Sequence, residues 1–404
     1  MAKRITIITI CSLLLTIGWG KVQSQYRLIN KTEQSSTLSF ELDDVTFETN
    51  GEYTRLKTPN VGTTMKVGYP ELPRFTTFYQ VDPYKTYTIE FDVKRSHMID
   101  NISVFPKQRS DKSESLEISE FNEEFYQSHD VFPKQNIQIS EPMSMRGLEL
   151  ISIDVIPYKY HADNQLLEVY DEIEITVNEG GNRENPNYRQ MPRSRTFEKL
   201  FNSFILNHDP ESRTELFQKP SILYICGGNS IQSPYFQSLL EWRHQRGYEV
   251  TAVSTSETGP STTNIKNYIQ NLYNTSYNPP EFVALVGDDG GSYSIPSFTE
   301  YWSSYYGEGD FPYAQLDGND LFPDVLVGRL SVRSSTDIGI VTNKIINYEK
   351  GLNTSDDWYE RAALIGDPYD SGISCVITNE FIEETMVSHG MTDIRTKYSG
   401  SNFA

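Results

Sequence analysis

Residues 281–289 read EFVALVGDD, and residues 313–332 read YAQLDGNDLFPDVLVGRLSV. Each stretch contains a mostly apolar run of strand length, which is typical of a strand buried on both faces of a sheet. Helical patterns at Tyr235–Arg246 and Asn264–Tyr273 precede these strands. Ser221–Cys226 and Arg361–Gly366 are further strand candidates, and a helix is expected to follow the second of them up to His389-Gly390. Because strands and helices alternate in this way, residues 219–404 are predicted to form an open, mostly parallel α/β sheet.

The first half of the chain has a different periodicity. Apolar and polar residues alternate in Leu148–Tyr158 and in Leu166–Val177, and the turn-like residues between them predict a hairpin. Thr37–Phe47 and Thr86–Val93 are further strand candidates. Residues 25–215 are therefore predicted to form an antiparallel β-sandwich or barrel, and the whole chain an α+β multidomain protein.

Composition argues against several functional classes. The 404 residues include 35 Lys and Arg against 55 Asp and Glu, a net charge of −20. Binding to a phosphate backbone needs clustered positive charge, so no nucleic-acid partner is expected. Three cysteines are too few for a disulfide scaffold or a four-cysteine zinc site.

The N-terminus has the parts of a signal peptide. Lys3 and Arg4 are its charged region, and residues 5–17 are an apolar run shorter than the ~20 residues that span a bilayer. Val22 and Ser24 suit a small-residue cleavage site, so the cut is expected after Ser24. Residues 1–24 thus predict secretion, and no stable membrane span is expected.

The junction between the halves, residues 183–213, concentrates arginines in an acidic protein. They are Arg183, Arg189, Arg193, Arg195 and Arg213. Two interpretations remain open: a solvated linker with a surface helix around Phe197–Leu206, or a junction that a protease cleaves.

The residues alone form no convincing catalytic set. A nucleophilic Cys or Ser needs a base in reach, and His244 and His389 have the positions of surface or capping residues. Cys226 and Cys375 are interpreted as unpaired structural thiols, with a disulfide between them as the alternative. The sequence contains no G-x-S-x-G, H-E-x-x-H or P-loop motif.

Acidic residues cluster near the ends of the predicted parallel strands. Asp288 follows a strand at its carboxyl end, where such sheets carry their ligand sites. Asp317, Asp320 and Asp324 lie within eight residues, and this set of hard oxygens suits Ca²⁺ without forming an EF-hand loop. The alternative is a polar turn whose Asp side chains accept backbone amides.

The same stretches resemble the gingipain-type cysteine peptidases, peptidase family C25 of Bacteroidetes bacteria. EFVALVGDD, the D-G-N-D-x-x-P-D-V-x-V-G-R block within 313–332 and IINYEK (345–350) carry the resemblance. Residues 68–73, GYPELP, resemble the G-x-P-x-L-P signature of the gingipain propeptide, and the strand pair around Arg146-Gly147 resembles its later part. The resemblance covers most of residues 35–400.

The resemblance implies a secreted or cell-surface zymogen that hydrolyses peptide bonds in proteins or peptides, exported by Bacteroidetes-type secretion. Residues 25–215 would be a propeptide that inhibits the enzyme intramolecularly and is removed by cleavage near Arg213. Residues 219–404 would be the N-terminal part of a caspase-like catalytic domain. The family's catalytic His and Cys lie beyond the position of Ala404, so this chain is expected to carry no catalytic residue and to be inactive alone.

The resemblance also implies a structural Ca²⁺. Asp288, Asp320 and Asp324 match carboxylate ligand positions, and Asp317 and Phe322 match positions that contribute main-chain carbonyls. Two further ligands of the family have no clear match in this sequence.

Two alternatives to an endopeptidase remain open. One is a non-catalytic surface or adhesion protein that retains the scaffold as a binding module. The other is a C25-type sortase of a secretion system. A G-H-G turn and a strand-end Cys encoded after residue 404 would favour a peptidase.

Overall fold

The structure is a computed structural model that describes residues 25–43, 45–59, 61–109, 118–184, 188–302, 305–352, 356–366 and 374–398. The predicted signal peptide, residues 1–24, lies outside the described residues. Contacts divide the chain into two compact units, with the boundary between Ser335 and Thr336.

The described strands and helices are numbered in chain order. The strands are β1 (Tyr26–Lys31), β2 (Ser35–Glu41), β3 (Thr46–Asn50), β4 (Tyr53–Lys57), β5 (Gly62–Thr63), β6 (Pro73–Val81), β7 (Lys85–Ile99), β8 (Val131–Phe132), β9 (Ile137–Ile139), β10 (Met143–Met145), β11 (Leu148–Val155), β12 (Tyr158–His161), β13 (Leu166–Asn182), β14 (Ser221–Cys226), β15 (Glu249–Ser254), β16 (Phe282–Val286), β17 (Phe298–Trp302), β18 (Tyr305–Gly309), β19 (Leu326–Leu330), β20 (Arg361–Gly366) and β21 (Asp393–Tyr398). The helices are α1 (Glu123–Tyr126), α2 (Arg195–Phe204), α3 (Pro234–Gln245), α4 (Thr255–Thr258), α5 (Thr262–Thr275), α6 (Ser335–Glu349) and α7 (Ser374–Ser388).

Residues 26–182 form two larger antiparallel sheets that share one core, and a separate two-stranded antiparallel sheet of β3 and β4. The first sheet has the order β1-β2-β13-β12-β8 with β7 also paired to β13, and the second has the order β10-β11-β6-β5 with β9 also paired to β11. Strand β6 alternates buried and half-buried residues along its whole length, as a strand with one face on a core does. Across the core, the ring centroids of Phe40 and Phe75 lie 5.2 Å apart. The prediction of an antiparallel sandwich for this region is confirmed.

The predicted hairpin of Leu148–Tyr158 with Leu166–Val177 is wrong. Strand β11 pairs with β6, β9 and β10, whereas β13 pairs with β12, β2 and β7 in the other sheet. Pro157 lies between β11 and β12 and has no N–H to donate, so pairing stops there and the chain passes from one sheet to the other. The hairpin that forms instead joins β12 to β13, with Tyr158 opposite Val169.

Residues 221–330 contain a four-stranded parallel sheet of order β15-β14-β16-β19. Helices α3 and α5 lie between its strands in sequence, as the alternating pattern predicts. The Ser261 hydroxyl accepts a hydrogen bond from Asn264 N at 3.1 Å and begins α5. Three residues of α5 at helical spacing then enter the core of this sheet: Ile265, Ile269 and Tyr273. The hairpin of β17 and β18, between β16 and β19, was not predicted.

The unit from Thr336 onward contains α7 and a parallel pair formed by β20 and β21. Strand β20 and helix α7 agree with the predicted elements, and β21 was not predicted. A Cβ added at Gly366 would lie 3.1 Å from Cys375 Sγ, so glycine lets the start of α7 approach the end of β20. No helix in the described parts of the chain is long and apolar enough to cross a bilayer.

Candidate functional site

Asp288 lies at the carboxyl edge of the parallel sheet, where its strands end, and Asp324 lies at the amino edge, where its strands begin. Strands β16 and β19 are parallel and paired over all five residues of each. Asp288 follows the carboxyl end of β16, and Asp324 precedes the amino end of β19. At 3.3 Å per residue, the strands alone separate these positions by about 16 Å. The structure therefore does not bring Asp288 to the other predicted metal ligands.

The carboxyl edge holds Asp288 in a polar cluster. Its carboxylate accepts hydrogen bonds from Arg333 Nε and, at 3.2 Å, from Ser331 Oγ. The hydrogen bond from Arg333 holds the pKa of Asp288 below its ordinary value. A Cβ added at Gly287 would overlap the carbonyl oxygen of Tyr293, so only glycine permits the loop after β16 to fold across this edge.

At the amino edge, Asp324 is fully buried and bonded to three backbone amides. Its Oδ2 accepts from Leu316 N at 2.8 Å and from Asp317 N at 2.7 Å, and its Oδ1 accepts from Arg146 N at 2.8 Å. Burial raises the pKa of Asp324 to about 7. The third amide belongs to the β-sandwich, so this carboxylate joins the two halves of the chain.

The other three predicted ligands lie in the same acidic loop, residues 316–324. Asp320 Oδ1 accepts from Phe322 N and its Oδ2 from Ser144 N, both at 2.8 Å. Asp317 Oδ2 accepts from the Tyr273 hydroxyl at 2.8 Å, and burial raises the pKa of Asp317. These bonds match the alternative interpretation, in which the Asp side chains accept amides within a polar turn.

The carboxylate oxygens of the acidic loop take part in hydrogen bonds in this structure. Both carboxylate oxygens of Asp324 and of Asp320 already accept backbone N–H groups. Within the described ranges, no group of three or more His, Cys, Asp or Glu side chains is placed to hold a metal. A structural Ca²⁺ therefore stays a prediction that rests on the resemblance and on the spacing of these residues.

The predicted helix of the arginine-containing junction is present as α2, but the described residues of the junction are packed and do not form a solvated linker. Helix α2 buries Phe197, Phe201 and Phe204 in a core shared with β10 and β11. Glu198 on the same helix accepts from Arg193 Nε at 3.0 Å and from Arg213 Nη1 at 2.9 Å. Its second oxygen lies 2.9 Å from His208 Nε2. The side chain of His208 is 1% exposed and those of the other two partners are nearly buried.

The two cysteines that follow the predicted signal peptide form no disulfide with each other in this structure. Cys226 on β14 is completely buried, and this burial raises its pKa to about 12. A thiol that stays protonated at neutral pH is a poor nucleophile, so the structural interpretation of Cys226 holds. His244 and His389 are both exposed, as their positions predicted.

Two residues that make several buried polar contacts, Arg146 and Glu198, were not predicted from the sequence. Arg146 is buried between the two halves, although a charged residue in a turn ordinarily predicts exposure. The available signal was the Gly147 that follows it, because a two-residue hairpin turn favours glycine. Glu198 lies beside the apolar positions of α2, and the nearby arginines were its available signal.

Comparisons with known families divide the chain where the two halves meet. The model of peptidase family C25 matches residues 215–403, and the model of the C25 propeptide, Propeptide_C25, matches residues 19–215. The two matches are consecutive and together extend from residue 19 to residue 403.

Curated relatives are gingipains of Porphyromonas gingivalis. Gingipain R1 is 24% identical over 384 residues, which are 91% of this chain and 38% of that protein. Gingipain R2 of strain W83 is 24% identical over 390 residues, 92% of this chain and 51% of that protein. The chain thus spans about half or less of the length of these relatives.

Solved structures show a weaker likeness. The complex of Porphyromonas gingivalis RgpB pro- and mature domains matches with 18% identity and a TM-score of 0.39, covering 45% of this chain and 96% of that chain. The Arg-specific cysteine proteinase gingipain R (RGPB) matches with 23% identity and a TM-score of 0.37, covering 48% of this chain and 44% of that chain.

Proposed function

Because this chain belongs to peptidase family C25, with a propeptide region followed by a peptidase region, we propose that it is a gingipain-like cysteine endopeptidase zymogen. The observation that carries the proposal is the pair of consecutive family matches that meet at residue 215. The arginine-containing junction, residues 183–213, ends just before this boundary. The relatives reported above are all gingipains, which favours an endopeptidase over the adhesion-protein and sortase alternatives.

The proposed reaction is hydrolysis of a peptide bond by a thiolate that a histidine has deprotonated. We place this histidine and cysteine after position 404, as the resemblance implies. The buried Cys226, with its pKa of about 12, is unsuited to the role. The 404 residues alone are therefore proposed to lack peptidase activity and to include no catalytic residue.

The proposed role of residues 25–215 is that of an intramolecular inhibitor. RgpB forms a complex of its pro- and mature domains, and we propose an equivalent arrangement here, ended by cleavage near Arg213. Secretion to the medium or the cell surface, directed by residues 1–24, belongs to the same proposal. Its substrates are proteins or peptides.

A structural Ca²⁺ is a separate proposal, supported by the resemblance and by the proximity of Asp317, Asp320 and Asp324 in one loop. Binding would place the ion against carboxylate and main-chain oxygens of the acidic loop. An ion that binds the folded chain and not the unfolded one raises the melting temperature of the purified chain, by an amount that grows with the logarithm of the ion concentration above the dissociation constant. No shift at millimolar Ca²⁺ would leave the amide-bonded turn as the sole interpretation.

The sequence of the gene beyond codon 404 gives the first test of the enzyme proposal. A G-H-G turn followed by a strand that ends in Cys is the expected result. A stop codon directly after Ala404 would contradict the proposed peptidase. Hydrolysis of peptide reporters by the 404-residue chain, lost on Cys375→Ala, would contradict the placement of the dyad.

A further inference from the structure

Arg146 occupies the tip of a hairpin that enters the peptidase region. Strands β10 and β11 pair with Met145 opposite Leu148, so Arg146 and Gly147 form a two-residue turn. Both have positive φ, 44° and 75°, a conformation that arginine rarely adopts. A Cβ added at Gly147 would press on Met191, so the turn is closely packed on both sides. The surrounding structure must hold Arg146 in this conformation.

The guanidinium of Arg146 ties together the amino ends of three neighbouring parallel strands. Nη1 donates to Asp324 O at 2.7 Å and to Pro280 O at 2.9 Å, and Nη2 donates to Gln218 Oε1 at 2.9 Å and to Pro279 O at 3.3 Å. Asp324 precedes β19, Pro279 and Pro280 precede β16, and Gln218 precedes β14. One side chain from the propeptide region thus satisfies buried oxygens on three segments of the peptidase region.

The backbone around the turn adds to this contact. Arg146 N donates to Asp324 Oδ1, and Ser144 N donates to Asp320 Oδ2, both at 2.8 Å. The ring of Phe197 lies 4.8 Å from the guanidinium carbon, within the range of a cation–π contact. The planar guanidinium presents several donors in fixed directions, whereas the ammonium of lysine is a compact point charge. The contact is therefore specific for arginine.

The Arg146 contact does not lie at the edge of the sheet where catalytic groups are expected. It lies at the amino edge of the parallel sheet, while open sheets of this kind carry their reactive groups at the carboxyl edge. We propose that the Arg146-Gly147 turn is the docking element of the propeptide region, and that the amino edge of the peptidase region is a guanidinium-binding surface that recognises it. This inference rests on the proposed division into propeptide and peptidase regions. It predicts that the two regions stay bound after the junction is cut.

The test uses the purified chain with the recognition sequence of a site-specific protease inserted between the exposed Glu211 and Ser212. After complete cleavage, gel filtration at micromolar protein concentration measures whether the two fragments elute together. The fragments are expected to co-elute in the parent protein and in Arg27→Met, which alters an exposed arginine of β1. In Arg146→Met, the dissociation constant of the fragments should rise at least about 100-fold, because Asp324 O, Pro280 O and Gln218 Oε1 lose a donor in a buried site. Pro279 O keeps its hydrogen bonds from Gln218 Nε2 and Ser221 Oγ. Arg146→Lys should give an intermediate value.

Chemical rescue keeps the test decisive if Arg146→Met folds poorly. In Arg146→Ala, n-propylguanidine at millimolar concentration should raise the melting temperature, and n-butylamine should not. Neither compound should affect Arg27→Ala. Separation of the parent fragments on cleavage, co-elution of the Arg146→Met fragments with unchanged affinity, or equal effects of both compounds would overturn the proposal. None of these measurements needs peptidase activity, so failure of the proposed enzyme function would be seen separately.

Discussion

Arg213 Nη1 donates a hydrogen bond to Glu198 Oε1 at 2.9 Å, and the side chains of the two residues are 7% and 8% exposed. The arginine near which cleavage is proposed is therefore held inside the structure by an ion pair with α2. A protease that recognises arginine must extract this side chain before it can cut. Access to the junction thus depends on local opening around Glu198.

Glu198→Gln should accelerate cleavage after Arg213. The substitution leaves Arg193 without its carboxylate partner and Arg213 paired with Glu215 alone in a nearly buried site, which favours the open junction. We expect limited trypsinolysis to produce fragments ending at Arg213 about tenfold faster, as measured by mass spectrometry. Glu211→Gln, an exposed neighbour, is the matched control. Equal cleavage rates in Glu198→Gln and the parent protein would show that the ion pair does not limit access.

Gly147→Ala should destabilise the protein by about 1–3 kcal/mol. The added methyl group meets Met191, and the turn requires a φ of 75° that alanine rarely adopts. Gly181→Ala is the control, because a Cβ there has no neighbour within 4 Å. Chemical denaturation of both variants gives the comparison. A loss at Gly181 as large as that at Gly147 would mean that the turn has no special strain.

Cys226 should resist alkylation in the folded protein. Burial raises its pKa to about 12, so at pH 8 the thiol is both protonated and inaccessible. We expect iodoacetamide at pH 8 to modify Cys226 at least about 100-fold more slowly than it does in the denatured chain. The partly exposed Cys375 should be modified faster in the same sample, and peptide mass spectrometry distinguishes the two. Modification of Cys226 at the rate of the denatured chain would contradict its structural role.

The parallel strands β14 and β20, which belong to different sheets, were accessible from the sequence because their signals are local. Ser221–Cys226 and Arg361–Gly366 were predicted with the bounds that the structure has. The partners of β11 were not accessible, since alternation in a strand defines which face is buried and not which strand lies beside it. Strand β21 carries mixed polar and apolar residues in a short segment, and it was missed for that reason.

For the candidate sites too, features set by local spacing were predictable and features set by the fold were not. The proximity of Asp317, Asp320 and Asp324 follows from their spacing in sequence. The separation of Asp288 from them depends on the direction and length of β16 and β19, which place the two ends of a strand on opposite edges. The bonds of Arg146 join positions more than 70 residues apart in sequence, so no local pattern could reveal them.

We propose that residues 25–215 restrain a cysteine peptidase to which residues 219–404 belong. The most direct measurement is the hydrolysis of peptide reporters by the product of the whole gene, before and after cleavage of the junction, with and without a thiol-alkylating inhibitor. We predict activity that appears on cleavage and that the inhibitor abolishes, together with no activity in the 404-residue chain under either condition. A product of the whole gene that remains inactive after cleavage, or whose activity survives thiol alkylation, would contradict the account.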